Sequence, residues 1–212
     1  MPNEVNDSAF FRWILFSLTA IVILAFPLHA LVNTDNLSTI RLSLHVHAIS
    51  FGAWYVLACT QATLISKMQV SLHRKLAYLT AFIVPLMIVS ALWVSYENSV
   101  RTGLAVLLIA GVINASAFSV FFLTAMIKRK TPCWHQRMIV FASISIMFPA
   151  FARVAYVFGV SNILALPLWL GFIIAVIVFD KRKFGHLSNA TWFGIAVSVI
   201  QFVLLAAFSS PE

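Results

Sequence analysis

The sequence predicts an all-α integral membrane protein, a bundle of about seven transmembrane helices. Of its 212 residues, 62% are hydrophobic and only 9% are charged. A soluble domain carries about a quarter charged residues, so the apolar excess is expected to face lipid. The apolar residues also fall into separate runs, and a spanning helix needs about 20 such residues.

Seven runs reach or approach the spanning length. They cover residues 10–33, 42–66, 75–97, 104–127, 137–159, 162–179 and 191–209. Polar clusters at 33–36, 97–99, 128–132 and 180–183 separate several of them, and the short sixth run begins around Pro167. No long hydrophilic segment intervenes, so we predict a single membrane domain over 1–212. The first run exceeds the 7–15 apolar residues of a signal peptide, and we expect it to remain uncleaved.

The basic residues predict the orientation. Only Arg41 and Arg101 fall on one side of the predicted membrane, and Arg153 lies within a run. The rest of the 14 Lys and Arg fall on the other side: Arg12, Lys67, Arg74, Lys75, Lys128, Arg129, Lys130, Arg137, Lys181, Arg182 and Lys183. Positive residues favour the cytoplasmic side, so the N-terminus is predicted to be cytoplasmic and the C-terminus outside. The expected setting is the cytoplasmic membrane of a bacterium, with a eukaryotic membrane as the alternative. These short flanking runs also explain the net charge of +8 without a nucleic-acid partner; the predicted partner is the lipid bilayer.

The two cysteines are predicted to be free thiols. Cys59 falls in the middle of the second run, whereas Cys133 lies in a basic loop. Two cysteines are too few for a disulfide framework.

Polar residues inside the runs are the candidate functional residues, because polar groups are costly at membrane depth. On the second helix His47, Trp54 and Gln61 recur every seven residues and form one stripe, with Gln61 about 21 Å from His47 along the axis. Asn114 lies near the middle of the fourth helix, and His73 precedes the third.

The fifth helix carries His135 at its start and Arg153 eighteen residues later. Five whole turns separate them, so they face the same way about 27 Å apart. Pro149, one turn before Arg153, is expected to kink this helix. By depth, His47 and Arg153 lie toward the outside, Asn114 in the middle, Gln61 deeper, and His73 with His135 at the cytoplasmic edge. Helices six and seven contribute almost nothing polar, which indicates packing elements or a docking surface for a membrane protein partner.

Structural roles are open for several of these residues. Histidines near basic residues and tryptophan, such as His73 and His135, are common anchors at the membrane interface. Gln61 and Asn114 have the character of interhelical hydrogen-bonding residues. Arg153, near a helix end, could extend its head group to the surface.

The order of these residues resembles that of a family of uncharacterised bacterial multi-pass membrane proteins. The shared run is His47 to Trp54, then Gln61, then Leu72-His73-Arg74-Lys75-Leu76, and then His135-Gln136-Arg137-Met138 at the start of the fifth helix, over about residues 42–156. Those proteins often have Asp in the fourth helix, where this sequence has Asn114. The difference removes a group that could carry a proton.

A second resemblance is to di-haem b-type membrane cytochromes. In those proteins histidine pairs on alternate helices hold one haem near each face of the membrane. The resemblance implies that His73 and His135 are axial ligands of one haem b, with Arg74 and Arg137 near its propionates. The other pair is incomplete, because His47 has only Asn114 opposite it.

Four functions therefore remain open: a haem-binding redox protein, a transporter or channel-like protein using the polar residues from His47 to His135, a zinc hydrolase and a non-catalytic accessory subunit. No Asp or Glu falls inside a predicted span, which weighs against carboxylate-driven transport. A catalytic zinc needs three converging ligands, and His47 is too far from His73 and His135 for these three to converge. The sequence identifies no catalytic residue.

Overall fold

A computed structural model of the chain describes residues 2–34 and 41–209, so part of the predicted 33–36 loop lies outside the described residues. Those residues form helices and no strand, which confirms the all-α class. The helices are α1 (Pro2–Val32), α2 (Leu42–Ser66), α3 (Val70–Ala77), α4 (Thr80–Thr102), α5 (Ala105–Ile127), α6 (Pro132–Ser145), α7 (Phe148–Val157), α8 (Ala165–Phe184) and α9 (Asn189–Ser209), with a 3-10 turn at Asn162–Leu164.

Several of these helices have the length and composition of membrane spans. Five qualify singly: α1 from Ser8 onward, α2, α4, α5 and α9 up to Phe208. The pair α6 and α7 qualifies as one bent span, which gives up to six. The predicted membrane character is therefore confirmed. The count of seven is not reached, because α8 has 20 residues but ends in the charged stretch 180–183.

Two predicted boundaries are wrong. The run 75–97 was expected to be one helix, but the chain turns at Tyr78 and Leu79, so that α3 precedes α4 as a separate short helix. The sixth helix does not end at residue 179 but continues to Phe184. As a consequence Asp180 lies inside a helix, and its side chain is buried.

The break between α6 and α7 shapes the bundle. The two helices are bent by 49° at residues 146 and 147. Pro149 lies in the first turn of α7, where a proline is tolerated because a backbone N–H in the first turn makes no hydrogen bond within the helix. The predicted kink is therefore present. On one side of the bend α6 packs against α5 and α9, while on the other α7 packs against α1 and α8. The bend thereby opens space between α5 and α7.

An aromatic layer fills the middle of the bundle. It consists of Trp54, Tyr55, Phe118, Phe121 and Phe141, each no more than 2% exposed. The Tyr55 hydroxyl donates to the Ser143 carbonyl at 2.8 Å, and the Trp54 indole N–H donates to the Ser143 hydroxyl at 3.3 Å. These bonds satisfy the polar ends of both buried rings and fix α2 against α6.

The packing of α9 against α6 requires a glycine. A Cβ on Gly194 would lie 2.2 Å from a ring carbon of Phe141, far inside van der Waals contact. Close approach at a small residue is a common basis of helix packing in membranes.

Candidate functional site

A cavity of about 510 Å³ lies in the half of the bundle opened by the α6–α7 bend. Its walls come from α1, α2, α4, α5 and α7. Three predicted polar residues converge on it, His47, Asn114 and Arg153. The remaining lining is mostly apolar and includes Phe26, Phe51, Met87, Phe118 and Ile146. A concave, largely apolar site with a few polar groups is the usual form of a small-molecule site.

Asn114 is held at the cavity wall by Gln201, a residue that was not among the predicted polar residues. Gln201 of α9 donates from its amide nitrogen to the Asn114 side-chain oxygen at 2.7 Å and to the Ser145 carbonyl at 2.8 Å. Gln201 is 4% exposed, and its position in the middle of an apolar run was the available signal. The prediction that the last two helices carry almost nothing polar is therefore wrong, because α9 supplies Gln201 and α8 supplies Asp180.

His47 lines the cavity beside an aromatic ring. Its imidazole centroid lies 4.1 Å from that of Phe51. The Nδ1 atom of His47 is buried and has no hydrogen-bond partner among the described residues. A buried polar atom without a partner is uncommon in native proteins.

Arg153 brings a positive charge to the same cavity. Its guanidinium donates to the Pro149 carbonyl at 2.9 Å and lies 4.4 Å from the centroid of the Phe26 ring. The two ion pairs in the described part of the chain are Arg41–Glu97 and Arg137–Asp180. Arg153 belongs to neither, so no carboxylate of this part of the chain balances its charge.

A polar network joins the start of α2 to the end of α4 next to the cavity. Arg41 donates to Glu97 at 2.6 Å and to Asn98 at 2.7 Å, and the Ser43 hydroxyl donates to Glu97 at 2.6 Å. Asn98 also lines the cavity. The Glu97 carboxylate is thus already engaged by Arg41 and Ser43.

At the opposite end of the bundle, His73 of α3 and His135 of α6 come together. Their ring centroids are 6.5 Å apart, with the ring planes at 85°. The Nδ1 atom of His135 lies 2.9 Å from the Ala125 carbonyl; if it carries the proton, Nε2 is left with a free lone pair. The Nδ1 atom of His73 and the side-chain oxygen of Gln61 are buried without a partner among the described residues.

Partial burial lowers the pKa of His73, on α3, below its ordinary value of 6.5. The Gln61 backbone carbonyl opposes this shift in the pKa, and the neighbouring His135 and Arg74 reinforce it. His73 is therefore neutral at pH 7, the form in which imidazole binds a metal.

The two arginines predicted to accompany these histidines differ in placement. Arg74 is exposed. Arg137 is 0% exposed and pairs with Asp180, and it also donates to Thr191 at 3.2 Å and to the Cys133 carbonyl at 3.0 Å. Its guanidinium faces the rings of Phe11, Phe179 and Phe184, so its donors are already committed to α6, α8 and α9.

The polar residues from His47 to His135, which were expected to line one path through the bundle, are divided into two groups. His47, Asn114 and Arg153 line the cavity, whereas His73 and His135 lie at the other end. Trp54, from the stripe shared with His47 and Gln61, is part of the aromatic layer, and Phe118 and Tyr55 of that layer form the floor of the cavity.

Within the described part of the chain, neither a metal cluster nor a disulfide adds to these groups. In residues 2–34 and 41–209 no three His, Cys, Asp or Glu side chains come close enough together to hold a metal ion. Cys59 and Cys133 are free thiols, as predicted, but Cys133 lies in the first turn of α6 and not in a loop.

Comparison with protein-family models, with curated proteins and with solved structures finds no match to this chain. The chain is therefore characterised by its architecture, a helical protein with five to six helices apolar enough to cross a membrane.

Proposed function

We propose that the protein is a small transporter-like membrane protein that binds a small, largely apolar molecule in the cavity between α1, α2, α4, α5 and α7. The cavity itself carries the proposal: about 510 Å³ of space with apolar walls and the polar side chains of His47, Asn114 and Arg153. Its volume falls within the range of roughly 300–1,000 Å³ typical of small-molecule sites. The aromatic layer closes it toward His73 and His135, so passage across the membrane requires that layer to separate.

Filling the cavity tests the proposal. Gly52 lines it, and a Cβ there meets no atom within 4 Å, so Gly52→Phe is expected to occupy space that a ligand needs. Gly171 of α8 is equally unobstructed but does not line the cavity, which makes Gly171→Phe the matched control. The probe is a decanol carrying a photoreactive diazirine, with crosslinked residues mapped by mass spectrometry in lipid nanodiscs.

We expect the probe to label cavity-lining residues in the wild-type protein and in Gly171→Phe, and Gly52→Phe to lose most of that labelling. Labelling spread evenly over the lipid-facing helices, or unchanged in Gly52→Phe, contradicts the proposal.

A haem-binding role is a second candidate, favoured by the adjacent rings of His73 and His135. Bound haem b would supply one-electron redox chemistry, with these imidazoles as axial ligands. His135 has the supporting contact to a backbone carbonyl that often orients a metal-ligating histidine. Arg137 does not fit the propionate role, because its donors are engaged elsewhere. His73 lies on α3, a short helix without fully buried residues, and a macrocycle would have to fit between this helix and α6.

An absorbance spectrum before and after dithionite, with a pyridine haemochrome assay, tests this second candidate. Sharp reduced α-bands that are lost in both His73→Ala and His135→Ala support it. A featureless spectrum after expression with added haem, or full haem occupancy in both variants, rejects the ligand pair.

We also propose seven spans with a cytoplasmic N-terminus, the additional span being α8, whose charged last turns exclude it from the five to six helices that qualify by length and composition. Its 20 residues correspond to about 30 Å of helix, close to the thickness of the hydrocarbon core. Three contacts support the proposed arrangement: Arg12 donates to Ser66 at 2.8 Å, His73 approaches His135, and Arg137 pairs with Asp180. These contacts bring basic residues of α1, α3, α6 and α8 to one end of the bundle, as the positive-inside rule requires.

A further inference from the structure

We propose that the molecule bound in the cavity is an amphiphile with an anionic head group, a carboxylate or a phosphate, held by Arg153. The inference rests on the proposed function, because it names the class of ligand for the same cavity.

The first argument is the charge balance of the cavity. Besides the Tyr55 hydroxyl, which donates to the Ser143 carbonyl, the ionisable lining residues in the described part of the chain are His47 and Arg153, and neither supplies a negative charge. Glu97, beside the lining residue Asn98, is engaged by Arg41 and Ser43. A partly buried cation beside apolar walls is costly unless it is paired, and the Phe26 ring offsets only part of that cost. An anionic ligand supplies the missing partner.

The second argument is the hydrogen-bonding capacity of Arg153. A guanidinium has five N–H donors, and within the described residues Arg153 makes a single hydrogen bond, to the Pro149 carbonyl. The planar guanidinium matches a carboxylate or a phosphate with two parallel bonds. Its free donors therefore select an anion over a neutral hydroxyl.

The third argument is the apolar remainder of the cavity and its access from the bilayer. Ile23 and Phe26 of α1 line the cavity while being 55% and 36% exposed on the surface of the bundle. A membrane amphiphile keeps its head at the interface and its chain in the hydrocarbon. With the head at Arg153, an acyl chain follows the apolar wall toward Met87 and Phe118 on the floor.

The experiment compares head groups on one chain in the full-length protein, in nanodiscs of phosphatidylcholine. Two photoreactive probes share a ten-carbon chain with a terminal diazirine, one with a carboxylate and one with a hydroxyl. Unlabelled decanoate, decyl phosphate and decanol serve as competitors. The variants are Arg153→Gln, Arg153→Lys and, as the matched control, Arg101→Gln, an exposed arginine outside the cavity.

We expect decanoate or decyl phosphate to displace the carboxylate probe from the cavity at least about tenfold better than decanol. This ratio corresponds to the free energy of one charge-assisted hydrogen bond. Arg153→Gln should remove this preference while the hydroxyl probe still labels the cavity, which shows that the variant retains its fold. Arg153→Lys should keep part of the preference, and Arg101→Gln all of it. The stronger of the two anionic competitors identifies the head group.

Equal displacement by decanol and both anions in the wild-type protein overturns the anionic head group and leaves cavity binding intact. This comparison uses only the wild-type protein, so it does not depend on whether a variant folds. An undiminished preference in Arg153→Gln overturns the role of Arg153. If neither probe labels the cavity, the proposed function fails together with this inference.

Discussion

Arg137 and Asp180 show how position decides what a charged side chain does. Both are 0% exposed, and a buried charge without a partner is strongly unfavourable. Asp180 also accepts from the Thr191 hydroxyl at 2.6 Å and from the Ser188 backbone N–H at 2.9 Å. The network therefore ties the ends of α6 and α8 to the start of α9. In the sequence both residues sit in basic flanking runs, so they are indistinguishable from ordinary topology signals.

Removal of the Asp180 carboxylate is predicted to destabilise the protein strongly. Asp180→Ala leaves Arg137 buried and uncompensated, which costs about 3–5 kcal/mol of unfolding free energy. The matched control is Glu97→Ala, since the Arg41–Glu97 pair is 24% and 27% exposed and a solvent-accessible pair contributes far less to stability than a buried one. Reversible unfolding in mixed micelles measures both. Equal losses in the two variants contradict a special role for the buried pair.

At the scale of helices, the sequence predicts features that depend on one helix alone, but it does not predict features that depend on packing against neighbouring helices. The spacing of His47 and Trp54 on α2 and the kink at Pro149 follow from helical geometry and from proline chemistry. The separation of α3 from α4 does not, because the residues at the turn, Tyr78 and Leu79, are compatible with a continuing helix.

Helix α3 is predicted to make the stability of the protein sensitive to acid through His73. Partial burial lowers its pKa in the folded state, so the unfolded chain binds this proton more readily than the folded protein. The contribution is fully present above the unfolded pKa of about 6.5 and is lost as the pH falls toward the folded pKa. The drop in Tm between pH 7.5 and pH 5.5 should therefore shrink in His73→Gln. A drop in Tm that is identical in His73→Gln and the wild-type protein shows that His73 does not contribute to it.

At the scale of the whole molecule, the helical membrane bundle is predictable from composition, but the cavity is not. The cavity exists because α7 bends away from α5, and because small residues such as Ala48, Ala91 and Ala115 line it. In the sequence these alanines cannot be distinguished from the other apolar residues of the spans. The sequence does identify His47, Asn114 and Arg153 as unusual; that they share one cavity depends on the tertiary packing of five helices.

The last prediction concerns the complete membrane topology, which depends on whether α8 crosses the membrane. In a background with Cys59→Ser and Cys133→Ser, single cysteines are introduced as Val160→Cys before α8 and His186→Cys after it, both exposed positions. If α8 crosses the membrane, a membrane-impermeant maleimide added to intact cells labels the cysteine at 160 and reaches the one at 186 only after permeabilisation. Thr102→Cys, at the end of α4, should behave like the cysteine at 160. Labelling of positions 160 and 186 from the same side means that α8 does not cross, whereas the inverse pattern at all three positions keeps the seven spans and reverses their orientation.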